Sequence, residues 1–145
     1  MNESDASGAG EVTLSTDLAG VDWEELTATL AADDFDNGRT PEQLRISFEN
    51  SAAAVMAWAG GKVVAKARAL SDGVCNAYVV DVWTLSAYRR RGVATAVMRR
   101  LLEMLPGQHV YLFTDDAVEF YRSLGFEPQG TGLGLIVGEW LKNEP

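Results

Sequence analysis

Arg89, Arg90 and Arg91 stand together in front of Gly92, where a hydrophobic strand gives way to an amphipathic helix. The preceding run 78–84 is mostly apolar, and Ala94, Val97, Met98, Leu101, Leu102 and Leu105 recur at helical spacing after it. The first turn of a helix carries backbone N–H groups without partners and the positive end of the helix dipole. A glycine there lets a ligand approach the main chain, and flanking arginines add charge. The chemistry this combination predicts is phosphate binding at Arg90, Arg91 and Gly92. Arg99 and Arg100 fall on the polar side of the same helix and read as solvated charges.

Asp81 is the second residue whose type and place could do chemistry. A carboxylate inside an apolar strand is costly unless it is paired or functional. Strand alternation puts it on the face of Val79 and Trp83. His109, in the apolar stretch 109–113, reads as structural, and Cys75 as a small buried residue.

Composition narrows the remaining classes. The 145 residues carry a formal net charge of -9, which repels nucleic acid and anionic membranes, so neither is expected as a partner. At this length a single domain with one core is expected. One cysteine excludes an internal disulfide framework and points to a reducing, cytoplasmic setting. One cysteine with one histidine cannot build a zinc cluster, and no metal is expected. The best membrane-spanning candidate, 52–59, is far too short. Residues 1–10 are small and acidic; they read as a disordered tail before a domain at 11–145. Gly130, Gly132 and Gly134 miss the dinucleotide spacing, and Gly60-Gly61-Lys62 lacks the parts of a P-loop and reads as a hairpin turn.

The elements that must position these residues follow from caps and periodicity. A strand is expected at 11–14, and a helix at 22–32 capped by Asp22. A second helix opens at Thr40-Pro41-Glu42-Gln43, where Thr40 and Gln43 form a capping box. Strands at 53–59 and 62–70 form a hairpin, and a third runs on to about Leu85. The long helix stops at Pro106-Gly107; a strand at 109–113, a helix at 115–124, and last strands from Phe126 and 133–141, turned by Gly130-Thr131-Gly132, complete the chain. This order predicts a mixed α/β sheet covered by helices.

Two motifs give the chain a resemblance to a known family. Arg89-Arg90-Arg91-Gly92-Val93-Ala94 fits the pattern Q/R-x-x-G-x-G/A, and it follows Asp81-Val82-Trp83-Thr84. Ala117-x-x-Phe120-Tyr121-x-x-Leu124-Gly125-Phe126 fits a second segment. At this separation and in this order they resemble the GNAT-superfamily N-acetyltransferases over about residues 11–141. The resemblance implies a central, mostly antiparallel sheet of about six to seven strands flanked by about four helices.

It also implies acetyl-CoA as co-substrate, its pyrophosphate on the segment Arg89, Arg90, Arg91, Gly92, Val93, Ala94 and Thr95. The pantetheine arm would run beside the backbone of Val82, Trp83 and Thr84, with a main-chain N–H polarising the thioester carbonyl. Tyr121 takes the family's general-acid position. An attacking amine must lose a proton, and Asp81 is the candidate base, its alternative being a structural acceptor for the neighbouring loop. In the family the acceptor lies against the loop between the first two helices; Phe35 and Asn37 are expected to line it, and Asp33 and Asp34 to be solvated. The resemblance points to a small-molecule amine as acceptor. A peptide or protein amine and a non-catalytic acyl-CoA sensor are the alternatives, and 133–140 could supply a homodimer edge.

Overall fold

The computed structural model describes residues 11–144; the expected tail at 1–10 lies outside them. The chain runs β1 (Thr13–Ser15), α1 (Trp23–Ala32), α2 (Pro41–Glu49), β2 (Ala53–Ala59), β3 (Lys62–Ser71), β4 (Asn76–Thr84), α3 (Val93–Glu103), β5 (His109–Tyr111) and α4 (Val118–Ser123). A 3-10 turn, Ser86–Tyr88, joins β4 to the arginine segment. The five strands lie in the order β1-β2-β3-β4-β5, antiparallel throughout except for the parallel β4–β5 pair. The helices form as their caps dictate: the Asp22 side chain accepts from the Glu25 amide, and Thr40 and Gln43 close a reciprocal box.

The sheet is buried on both faces, which is why β2 and β3 carry so many small and β-branched residues. One face packs Val55, Ala57, Ala65, Ala67 and Val79 under Val97, Met98 and Leu101 of α3. The other packs Ala54, Met56, Val63 and Trp83 under Leu26 and Leu30 of α1 and Leu44 and Phe48 of α2. No described helix is long and apolar enough to cross a membrane.

The expected last strands do not form. Residues 131–137 have no regular structure, which leaves five strands among the described residues rather than six or seven. Glycine at 130, 132, 134 and 138 gives this stretch the composition that most weakens a strand, because each ordered glycine loses more conformational freedom than any other residue. Gly132 also lies flat against the Phe113 ring, with no room for a Cβ. Leu133, Leu135 and Val137, expected at a dimer edge, are exposed. The helix expected at 115–124 shortens to Val118–Ser123. Cys75 is exposed rather than buried, because Asp72 organises its turn by accepting from the amides of Val74, Cys75 and Asn76. His109 is exposed too, stacked on Tyr111 and bonded to Gln129 and to the Tyr111 hydroxyl.

Candidate active site

The start of α3 has the shape of an anion cradle. Arg90 (φ +65) and Gly92 (φ +80) both adopt the left-handed conformation, which folds the main chain into a tight turn immediately before Val93. No side chain caps the helix, and its first internal bond, Ala96 N to Gly92 O, is 3.0 Å. The N–H groups of Val93, Ala94 and Thr95 therefore have no helical acceptor. A Cβ added to Gly92 would meet nothing within 4 Å, so the space in front of the turn is open. Arg90 is exposed and Arg91 lies over the Tyr88 ring at 5.4 Å, whereas Arg89 turns inward to the Thr84 carbonyl at 3.0 Å. A phosphate fits this set of donors: open amides, a dipole end and cationic side chains.

Beside the cradle the sheet opens. Pairing of β4 with β5 ends at Tyr78↔Tyr111, so from Val79 to Thr84 the side of β4 away from β3 has no described strand partner. The β3–β4 ladder also slips: Arg68 pairs with Val80, but Lys66 pairs with Trp83, so β4 carries one extra residue at Asp81 and Val82. Asp81 sits there with φ +64. The bulge corrects the alternation expected from sequence. Val79 belongs to the α3 face and Trp83 to the α2 face, because the inserted residue reverses the parity of the strand.

Asp81 enters the α2 face and meets three cations. Arg39 holds both carboxylate oxygens at 3.0 and 2.7 Å, Lys66 reaches Oδ1 at 3.3 Å, and Arg68 Nε donates to Oδ2. The Asp81 side chain is 6% exposed. Burial alone would raise its pKa, but the Lys66 charge and the two guanidinium partners more than reverse this and hold it well below the usual carboxylate range. Lys66 is fully buried; burial pushes it down to about 8, Asp81 opposes the shift, and Arg39 and Arg68 add to it.

The α1–α2 loop is tied to both halves of the site. Asp33, expected to be solvated, accepts from Trp83 Nε1 at 3.0 Å and from the Ser86 amide at 3.1 Å, with Arg89 at 3.5 Å. Burial raises its pKa, and the Ser86 and Trp83 donors more than offset this. A backbone amide and an indole N–H, brought together by folding, make this aspartate an anchor. Asp33→Ala will cost about 2 kcal/mol in chemical denaturation and weaken anion binding at the cradle, since it frees the turn that leads into it. A denaturation curve and an inorganic-phosphate affinity matching wild type would count against this coupling. Phe35, half-exposed, lies over the Lys66 ammonium at 5.0 Å. Asn37 is exposed; its Oδ1 accepts from Arg39 Nε at 2.9 Å and its carbonyl from Trp140 Nε1 at 2.9 Å. The C-terminal segment therefore touches the loop expected to hold the acceptor.

Tyr121 packs edge-on to Phe120 and Phe126, and Thr114 Oγ1 accepts from the Ala117 amide in the turn before α4. Burial pushes the Tyr121 phenol above its ordinary pKa, so it is protonated at neutral pH. Tyr121 also lines a cavity of about 560 Å³ behind β5, together with Val110, Leu112, Leu124 and Phe126. That cavity lies beside the stretch where the last strands fail to form, and it includes neither Asp81 nor the cradle.

A sequence model described as the acetyltransferase (GNAT) family matches residues 19–126, which contain α1, the bulge, the cradle and α4. The chain belongs to the GNAT acetyltransferase family. A serotonin N-acetyltransferase 2, chloroplastic, of Oryza sativa subsp. japonica is 38% identical over 96 residues, which are 61% of this chain and 48% of that protein. A histone acetyltransferase TAP1 of Glycine max is 36% identical over 76 residues, 50% of this chain and 33% of that protein. The chain thus spans a third to a half of these relatives. A GNAT-family acetyltransferase from Xanthomonas campestris pv. campestris, known from its crystal structure, superposes with a TM-score of 0.73 at 30% identity over 81% of this chain and 85% of that one.

Within this GNAT domain Val82 to Thr84 lead through the Ser86–Tyr88 turn to Arg89–Thr95, while Arg39 bonds both Asp81 and Asn37, and Lys66 bonds Asp81 and lies over Phe35. Sequence reading missed Arg39, Lys66 and Arg68. The signal available was two basic residues, Lys66 and Arg68, alternating with alanine in a strand that is otherwise apolar.

Proposed function

We propose that the protein transfers the acetyl group of acetyl-CoA to a primary amine, by direct attack with both substrates bound. The observation that carries this reading is the open cradle at Gly92, which follows the stretch of β4 paired only on its β3 side. A phosphate group would rest on the Val93, Ala94 and Thr95 amides with Arg90 and Arg91, and the arm beyond it beside Val82, Trp83 and Thr84. When bound, acetyl-CoA supplies a thioester that an amine opens, leaving an amide and a thiol. Holding both substrates in one cleft supplies much of the rate.

Tyr121 is the acid in this reading: its Oη gives a proton to the departing sulfur and recovers one from water. Tyr121→Phe keeps the packing and removes the proton. It will lower kcat by about 100-fold while leaving the KM for acetyl-CoA within about twofold. An unchanged kcat would remove Tyr121 from the mechanism. Asp81, clamped by three cations and strongly acidic, has little affinity for a proton at neutral pH, so we assign it to holding the bulge and the amine's proton to water.

The small-molecule acceptor rests on the loop between α1 and α2, where Phe35 and Asn37 are exposed beside the Arg39–Lys66–Asp81 cluster. The two relatives are named for different acceptors, serotonin for one and histone for the other, so a peptide amine is the arm to test beside it. Thermal stabilisation by acetyl-CoA, with thiol release across amines and basic peptides, reads the function directly. Stabilisation with thiol release from one amine class supports the enzyme and its acceptor class. Stabilisation without turnover favours a binding role, and no stabilisation overturns the reading.

A further inference from the structure

Lys66 is a fully buried lysine to which the reading above gives no role. Its ammonium lies over the rings of Phe35 at 5.0 Å, Phe48 at 5.4 Å and Trp83 at 5.9 Å. The charged groups that face it are Asp81 of β4, Arg39 of the α1–α2 loop and Arg68 of β3. An apolar side chain of similar length would fill the same space without the cost of burying a charge. Asp81 does not require a third cation either, since Arg39 already grips both of its oxygens and Arg68 one of them.

Among the three cations, Lys66 is the one that bonds the main chain of the bulge itself, whereas Arg68 reaches the Ser47 carbonyl of α2. The Lys66 Nζ donates to the Asp81 backbone carbonyl at 3.3 Å as well as to Oδ1 at 3.3 Å. That carbonyl belongs to the peptide whose N–H is carried by Val82. The peptide is trans, so the N–H points away from its carbonyl and therefore away from Lys66. A carbonyl that accepts from a cation polarises its own peptide group, and the N–H at the other end becomes a stronger donor. Val82 lies in the stretch of β4 that has no described partner on its far side, beside the cradle.

We propose that Lys66 is a positioning residue for acetyl transfer, which acts through the Asp81 carbonyl to orient and strengthen the Val82 N–H as a donor to the thioester carbonyl. The ammonium touches no substrate. It fixes the bulge peptide from behind, and the bulge places the donor in the opening. This rests on the acetyl-transfer reading but adds a residue and a role to it.

The test compares wild type with Lys66→Met, which preserves length and apolar packing. Isotope-edited infrared spectra of bound acetyl-CoA, labelled with 13C at the acetyl carbonyl, report how strongly that carbonyl is polarised without any acceptor. The wild-type band is expected below that of free acetyl-CoA at pH 7 and nearer the free position at pH 9.5, where Lys66, with its pKa near 8, is neutral. The Lys66→Met band is expected near the free position at both values. The variant's kcat is expected to be about tenfold lower, with acetyl-CoA affinity within about twofold and a melting temperature equal or higher. A Lys66→Met band and kcat identical to wild type would overturn the proposal. So would a joint loss of melting temperature, acetyl-CoA affinity and kcat, since Lys66 would then serve the fold alone. If wild type binds acetyl-CoA but acetylates no amine, the acetyl-transfer reading fails, and the carbonyl band still decides the role of Lys66.

Discussion

Asp81→Asn will destabilise the protein by about 3–5 kcal/mol, because it leaves Arg39, Lys66 and Arg68 packed together with no carboxylate between them. The substitution isolates charge from backbone. Asparagine tolerates a positive φ as well as aspartate does, so the left-handed bulge at φ +64 adds no new strain. Nor does the size of the side chain change. What disappears is the only carboxylate in ion-pair contact with these three cations among the described residues. The melting temperature should fall by roughly 10 °C or more in a domain of this size. The pH dependence gives a second check. The folded-state pKa of Asp81 is depressed, so its contribution is complete above the unfolded carboxylate value and is lost as pH falls below it. The gap between wild type and Asp81→Asn should therefore be widest at neutral pH and narrow below about pH 4. A gap of less than about 1 kcal/mol at pH 7 would mean that the clamp is slack in solution.

Gly92→Glu should reduce acetyl-CoA affinity by at least about 100-fold, or roughly 2.7 kcal/mol, while leaving the fold intact. Gly92 adopts φ +80 at the cap of α3, and a Cβ there meets nothing within 4 Å. The first atom of a side chain there therefore meets open space. The substitution costs about 1–2 kcal/mol for the left-handed backbone and projects a negative charge into the space that the open amides face. Gly92→Ala is the matched control: it carries the same backbone cost without the charge and should weaken binding far less. Calorimetric titration of both variants separates the two effects. Equal acetyl-CoA affinity in Gly92→Glu and wild type would move the phosphate site away from this turn.

The residues that were legible in sequence are those whose chemistry is local. Thr40, Pro41 and Gln43 announce a helix start because the capping bonds lie within one turn, and the box forms as written. Arg90, Gly92 and the apolar period after them announce a cradle because a helix terminus exposes its own amides whatever packs against it. The β2–β3 hairpin and the mixed, mostly antiparallel sheet follow from strand length, Gly60-Gly61 and the order of elements. The reading of Leu133 to Leu141 as strands failed because apolar alternation in a glycine-rich segment indicates a strand only if a partner edge holds it.

Sequence alone therefore determined the family, the position of the turn at Gly92 and the helix that follows it, because each depends on neighbours in the chain. Only the tertiary structure decided what Asp81 does. One extra residue in β4 reverses the parity of the strand, so Asp81 faces α2 instead of sharing the face of Val79. There it meets Arg39 from a loop 42 positions earlier and Lys66 and Arg68 from the adjacent strand. Asp33 was decided in the same way, by an indole and an amide 50 and 53 positions away. A carboxylate's role is set by the donors and charges within a few ångströms of it, and in a sheet those come from segments that the chain order keeps apart.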